Sequence, residues 1–255
     1  MGVLQLKKVL VFDVWGEYAH FRRFYTTTSP LTFPIPPRTA LCGLIGAIIG
    51  LDKKNNDYLR YFGLEEAYIG LRVMNPINKV RIAENLINTK EAGPGMNQIK
   101  RNGGRSPTRF EFLKNPQYRI YFHHTNDEIY KRLKTCLERH ECIYTPCLGL
   151  SECVANFGYV GEFGVEAVSP NGERVGMNSV VPFDIISNSE GINFTDTGHF
   201  ISMRLPTEMD TQRIVKKYSN ILIEVDGNPL EVKLTCPHYV FVNPLGQKEA
   251  FIFIK

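Results

Sequence analysis

Several functional classes are excluded by what the 255-residue chain lacks. It carries no Walker-type phosphate loop, dinucleotide fingerprint, zinc-protease motif or serine elbow, so the chemistries built on those motifs have no residues to carry them. Cysteine is sparse, at six. Cys136, Cys142, Cys147 and Cys153 are separated by five, four and five residues rather than arranged in the short pairs of a structural zinc site. No metal and no other cofactor is expected. No secretory signal is expected either, because the apolar run of MGVLQLKKVLVFDVWG is broken by Asp13 and lacks a small-residue cleavage site. Six cysteines in such a chain imply reduced thiols in a cytoplasm rather than a disulfide scaffold. Long apolar runs are also missing. The glycine-marked segment Thr39–Leu51 has 13 residues, about 20 Å as a helix against about 30 Å of hydrocarbon. It reads as a core helix, and no membrane partner is expected.

What is present suits a packed core: 43% of residues are hydrophobic and 22% charged. Sixteen Phe and twelve Tyr against a single Trp, with β-rich runs at both ends, favour a mixed α and β protein. The net charge of +4 is unevenly spread. Between Lys79 and Arg119 nine basic residues face three acidic ones, a surplus of +6, which leaves −2 for the rest. Clustered cations are what contact with a polyanion requires, although a solvated loop has the same composition.

KVLVFDV (Lys8–Val14) is almost continuously apolar, as in a strand buried on both faces. Pro36 and Pro37 then stand where a helix can begin, and that helix runs to about Gly50 with Gly43, Gly46 and Gly50 on one face for close packing. AYIGLRVM (Ala67–Met74) and YRIYFHH (Tyr118–His124) alternate as half-buried strands. Thr125–His140 is expected as a helix, with Thr125 and Glu128 as a capping box, and Ala155–Phe163 as a fourth strand. Strand, helix, strand, strand, helix, strand is the split βαβ order of ferredoxin-like and RNA-recognition folds. The fold class is therefore α+β, a ferredoxin-like domain over 1–164 with a basic insertion at about 75–116, followed by a smaller β-rich domain over 165–255. In the second half only Met209–Tyr218 (MDTQRIVKKY) reads as helical, and turns are expected at Ser169–Gly172 and Val225–Pro229.

Three groups of residues could bind nucleic acid. Arg38 stands at a helix start, where the dipole disfavours a cation unless an anion is bound there, and Thr39 could add a hydroxyl; alternatively Arg38 turns away to a carboxylate. The stretch Trp15–Tyr25 interleaves His20, Arg22 and Arg23 with Tyr18, Phe21, Phe24 and Tyr25, the mixture that holds single-stranded RNA. Phe21 and Phe24 are assigned to the core, and Arg22, Arg23 and Tyr25 to the outside. In the basic insertion Arg81, Arg101, Arg105 and Arg109 are candidate phosphate contacts, with Lys100 and Arg101 also suited to plain solvation at a tip.

WGEYAHFRRFY followed by FPIPPRTALCGLIGAIIG, then RIAENL, SPTRFEFLKNPQYRIYF, LGLSECVANFGYVGEF and HFISMRLP, together resemble the CRISPR-associated Cas-five family of the RAMP (repeat-associated mysterious protein) superfamily, especially its type I-B branch. The likeness covers roughly residues 5 to 165 well and the rest more loosely. It implies a subunit of the type I surveillance complex, Cascade, that serves antiviral defence. Such a subunit caps one end of the backbone and holds the 5′ handle of the CRISPR RNA (crRNA). It also implies contacts with the backbone subunit, with the large subunit and with target DNA near the protospacer-adjacent motif. The basic insertion would be a β-hairpin thumb. One relative in the family is a metal-independent ribonuclease, and His20, His123, His124 and Tyr25 are the residues here of suitable type for that chemistry. The expectation is a non-catalytic RNA-binding subunit. An endoribonuclease that processes repeat RNA and a protein scaffold without an RNA grip are the alternatives.

Overall fold

A computed structural model of the chain describes residues 6–26, 29–87, 105–187, 191–194 and 198–255. The first strand, β1 (Lys8–Trp15), is followed by the two-residue β2 (Tyr18–Ala19) and by helix α1 (Arg38–Ile49). Next come β3 (Ala67–Val73), β4 (Asn78–Ile87), β5 (Arg105–Lys114) and β6 (Gln117–His124). Helix α2 (Asp127–Arg139) then leads to β7 (Asn156–Gly164). A four-stranded sheet has the order β3-β6-β1-β7, antiparallel throughout. With helices after its first and third strands, this is a βαββαβ unit.

Alternation along β1 explains why its apolar run is nearly unbroken. Leu10, Phe12 and Val14 point toward Leu41, Ile45 and Ile48 of α1 and Leu133 of α2. Val9 and Val11 point the opposite way, into a cluster with Tyr121, Tyr239, Phe241, Phe251 and Phe253.

The covering layer on that second side comes from the end of the chain. The later strands are β8 (Glu166–Val168), β9 (Arg174–Met177), β10 (Val181–Pro182), β11 (Phe200–Met209) and β12 (Val215–Glu224). They end with β13 (Leu230–Lys233), β14 (His238–Val242) and β15 (Lys248–Phe251). The β15-β14-β8 sheet lies over β1 and β6 through Tyr121 and Phe251, whose rings stack at 4.5 Å. Val180 and Ile254 donate backbone hydrogen bonds to Leu71 and Ile69, which occupies the edge of β3. Between these layers Arg119 grips Asp13 through two hydrogen bonds and Glu249 through a third, and Arg72 and the Tyr121 hydroxyl also reach Glu249. Burial alone would raise the Glu249 carboxyl, but Asn243, Tyr121 and the two guanidinium groups hold it below its ordinary range.

Local expectations fail where tertiary partners or turn chemistry intervene. Gly43 faces open space and Gly46 faces Tyr58, so the glycine face of α1 does not pack on the sheet. Gly50 lies beyond the helix, with φ +69°, and a Cβ there would meet the Ile143 side chain at 2.6 Å. The cap of α2 is Asn126, which accepts from the N–H groups of Glu128 and Ile129, not Thr125. Met209–Tyr218 is no helix. Asp210 accepts from the backbone of Gln212 and Ile214, Arg213 adopts φ +63°, and the chain reverses from β11 into β12. The turn expected at Val225–Pro229 is present, with Gly227 at φ +86°, and Gly172, at the end of the other expected turn, has φ +82°.

Candidate nucleic-acid interface

Strands β4 and β5 pair antiparallel from Asn78↔Lys114 to Ile87↔Arg105. Strand periodicity places Arg81, Ala83, Asn85 and Ile87 on one face, and the register puts Arg109 opposite Ala83 and Arg105 opposite Ile87 on that same face. All three arginines are exposed, and none forms an ion pair among the described residues. Arg105 and Arg109 are about 13 Å apart along the strand. The opposite face carries Val80, Ile82, Phe110 and Phe112, and the last three pack on the main core and anchor the ribbon. Arg101 lies outside the described residues.

The aromatic loop joins this ribbon at Glu111. Lys79 bonds the Glu111 carboxylate at 3.0 Å and the Thr32 N–H donates to it. The Glu111 N–H donates to Pro30 O, and the His20 ring meets Glu111 O at 2.7 Å. His20 is thus a structural histidine, only 1% exposed and flanked by the Phe110 and Phe112 rings; it offers nothing to a ligand, contrary to expectation. Arg22 is exposed, and Arg23 is half-buried with its guanidinium on Thr32 O and on the Tyr25 hydroxyl. Tyr25 is exposed as expected. Phe21 is core, but Phe24 is 63% exposed, so its assignment to the core is corrected.

Arg38 does not meet a phosphate. It is 1% exposed, and its guanidinium donates to four backbone carbonyls, those of Phe62 (3.0 Å), Gly63 (3.0 Å), Ala67 (2.6 Å) and Thr207 (3.0 Å). Among the described residues no carboxylate is its partner, because these carbonyls take the four N–H groups of its two terminal nitrogens, and the remaining Nε–H is sealed from solvent without a partner. Thr39 lines a groove of about 670 Å³ along α1 with Gly43, Gly46, Tyr58, Tyr144 and Arg213, and no other expected contact residue lines that groove.

The remaining histidines are engaged or buried. His124 bonds Tyr61 O at 2.6 Å and accepts from the Asn126 N–H. Burial lowers the pKa of His20, His123, His124 and His238 below the ordinary 6.5. A histidine with a depressed folded pKa stays neutral while the unfolded chain takes up its proton. Its stabilising effect is therefore complete above about pH 6.5 and lost as pH falls through the folded values. The urea midpoint is expected to fall measurably between pH 7.5 and pH 5, above the range where the carboxylates titrate. A flat profile would show that these rings protonate freely in the folded protein.

Among the described residues no group of three His, Cys, Asp or Glu is placed to hold a metal ion, all six cysteines are free, and no helix is long and apolar enough to cross a membrane.

Comparison with known proteins adds the lineage. No curated protein sequence matches the chain. Among solved structures, it resembles a CRISPR protein from Archaeoglobus fulgidus with TM-score 0.54 and 13% identity, over 97% of this chain and 100% of that one. A chain of a CRISPR RNA-guided surveillance complex matches with TM-score 0.48 and 12% identity, over 87% of this chain and 91% of that one. A chain of a type III-B Cmr-beta complex bound to cognate target RNA and AMPPnP matches with TM-score 0.45 and 13% identity, over 88% and 86%. At such identities the likeness is one of fold. The sequence model of the family described as CRISPR-associated protein (Cas_Cas5) matches residues 9–207, most of the chain, and the chain belongs to that family.

Proposed function

We propose that the chain is a non-catalytic, RNA-binding subunit of a type I CRISPR Cascade complex, of the I-B kind, acting in the cytoplasm. In this reading it caps the backbone and holds the 5′ handle of the crRNA, touching the backbone subunit, the large subunit and target DNA near the protospacer-adjacent motif. The observation that carries the reading is the exposed face of the β4–β5 ribbon, where Arg81, Arg105 and Arg109 stand without carboxylate partners among the described residues. Unneutralised cations in a row suit phosphates, and the exposed rings of the adjoining loop suit unpaired bases. The ribonuclease alternative needs a base and an acid facing a substrate. His20 and His124 are enclosed, and His123 is half-buried with its Nδ1 sealed from solvent, which favours binding over cleavage. Incubation of the purified chain with labelled repeat RNA in chelator should give retention without cutting. Site-specific cleavage would overturn the non-catalytic assignment, and absence of retention would overturn the RNA grip.

A further inference from the structure

The exposed aromatic loop does not stand alone. Phe24 packs against Tyr218 of β12, ring centroids 5.5 Å apart, and against Tyr25 at 5.1 Å. Arg204 of β11 lays its guanidinium over the Tyr218 ring at 4.8 Å. Tyr218 lies opposite Pro206, so Arg204, two residues along, is its diagonal neighbour on the same face of the hairpin. Phe24 and Tyr25 are 63% and 55% exposed, Arg204 is exposed, and Arg204 makes no ion pair among the described residues. Tyr218 is half-buried beneath them, so the three rings form one contiguous aromatic patch rather than scattered surface residues, and the guanidinium beside them favours an anionic partner.

We propose that Phe24, Tyr218 and Arg204 form a base-stacking platform for single-stranded RNA, built from the two halves of the chain; the proposal rests on the RNA-binding reading above. Two further observations favour it. The platform is held rigid from both sides: the Phe24 loop is clasped to Glu111 of β5, and Arg38 fixes Thr207 O, next to Pro206. Arg109, in turn, lies two residues from Glu111, to which that loop is clasped, on the same face of the ribbon. Stacking of this kind tolerates any base, because every base has a flat face.

The test uses the full-length protein with a 12-nucleotide single-stranded RNA containing 2-aminopurine, and inorganic polyphosphate as a polyanion without bases. The wild type should quench the 2-aminopurine on binding. Phe24→Ala with Tyr218→Ala should abolish the quench and weaken RNA binding about tenfold, with polyphosphate affinity unchanged. Arg204→Gln, which preserves both rings, gives a milder loss and covers the case that the double variant fails to fold. A wild type that binds RNA while the variants retain both affinity and quench would overturn the platform and leave the RNA reading standing. Loss of a protein subunit from the assembly with RNA binding intact would likewise overturn it, as a protein-docking patch. A wild type that binds no RNA would overturn both.

Discussion

Arg38→Ala is expected to lower the thermal midpoint by about 10 °C or more, or to leave the protein insoluble, without acting on RNA contact directly. Its guanidinium links α1 to the carbonyls of Phe62, Gly63 and Ala67, which lead into β3, and to Thr207 of β11. Hydrogen bonds from a charged donor are worth about 1.5–3 kcal/mol each, and those lost together are not additive. Desolvation of the guanidinium offsets part of the gain. A net loss of about 3–5 kcal/mol is the reasonable scale, with about 2–4 °C per kcal/mol in a chain of this size. Lysine offers three donors from one point instead of a planar fork, so Arg38→Lys should fall between the wild type and alanine. Differential scanning calorimetry decides the matter. An alanine variant with an unchanged midpoint but lost RNA binding would restore the phosphate role that the helix-start position implies.

Reversal of Arg81, Arg105 and Arg109 to glutamate should have the opposite signature, a stable protein that has lost RNA. The three side chains are exposed and make no ion pair among the described residues, so the stability change at each should stay within about 0.5 kcal/mol. Each phosphate contact to a single strand contributes about 0.7 to the slope of log affinity against log salt. Removing three should flatten that slope by about 2, and the added repulsion should bring the loss near physiological salt to about 100-fold or more. Fluorescence anisotropy across a salt series measures both quantities. If RNA retention and salt slope survive the triple reversal, the chain is a protein scaffold and its basic ribbon is merely solvated.

Much of the architecture is written locally. KVLVFDV needed two covered faces and has them. The split βαβ order follows from periodicities of two and about four, which side-chain alternation and helical geometry impose without reference to distant residues. The charge of the ribbon is legible as composition, whereas the hairpin that carries it is implied by the family resemblance and not by periodicity. On a strand, residues 105 and 109 must share a face, and an excess of positive charge in one segment is a property of composition.

The rest is hidden from the sequence for a different physical reason. The role of Arg38 is invisible in sequence because its partners are backbone carbonyls, which every residue carries alike, and one of them is 169 positions away. No side-chain pattern can announce them. The Met209–Tyr218 segment has helical spacing in sequence, but its turn depends on Asp210 bonding the backbone N–H groups of Gln212 and Ile214, a local choice that competes closely with helix formation. Phe24 and Phe21 are chemically identical three residues apart, and only the packing of the loop against Thr32 and Glu111 leaves one ring inside and the other out.

By itself, then, the sequence determined the four strands of the first sheet, the two helices that accompany them and the location of the positive charge, because each follows from side-chain type and spacing along the chain. The tertiary structure alone decided which arginine serves the fold and which rings meet solvent, because burial and backbone hydrogen bonding depend on segments that the chain brings together only when folded.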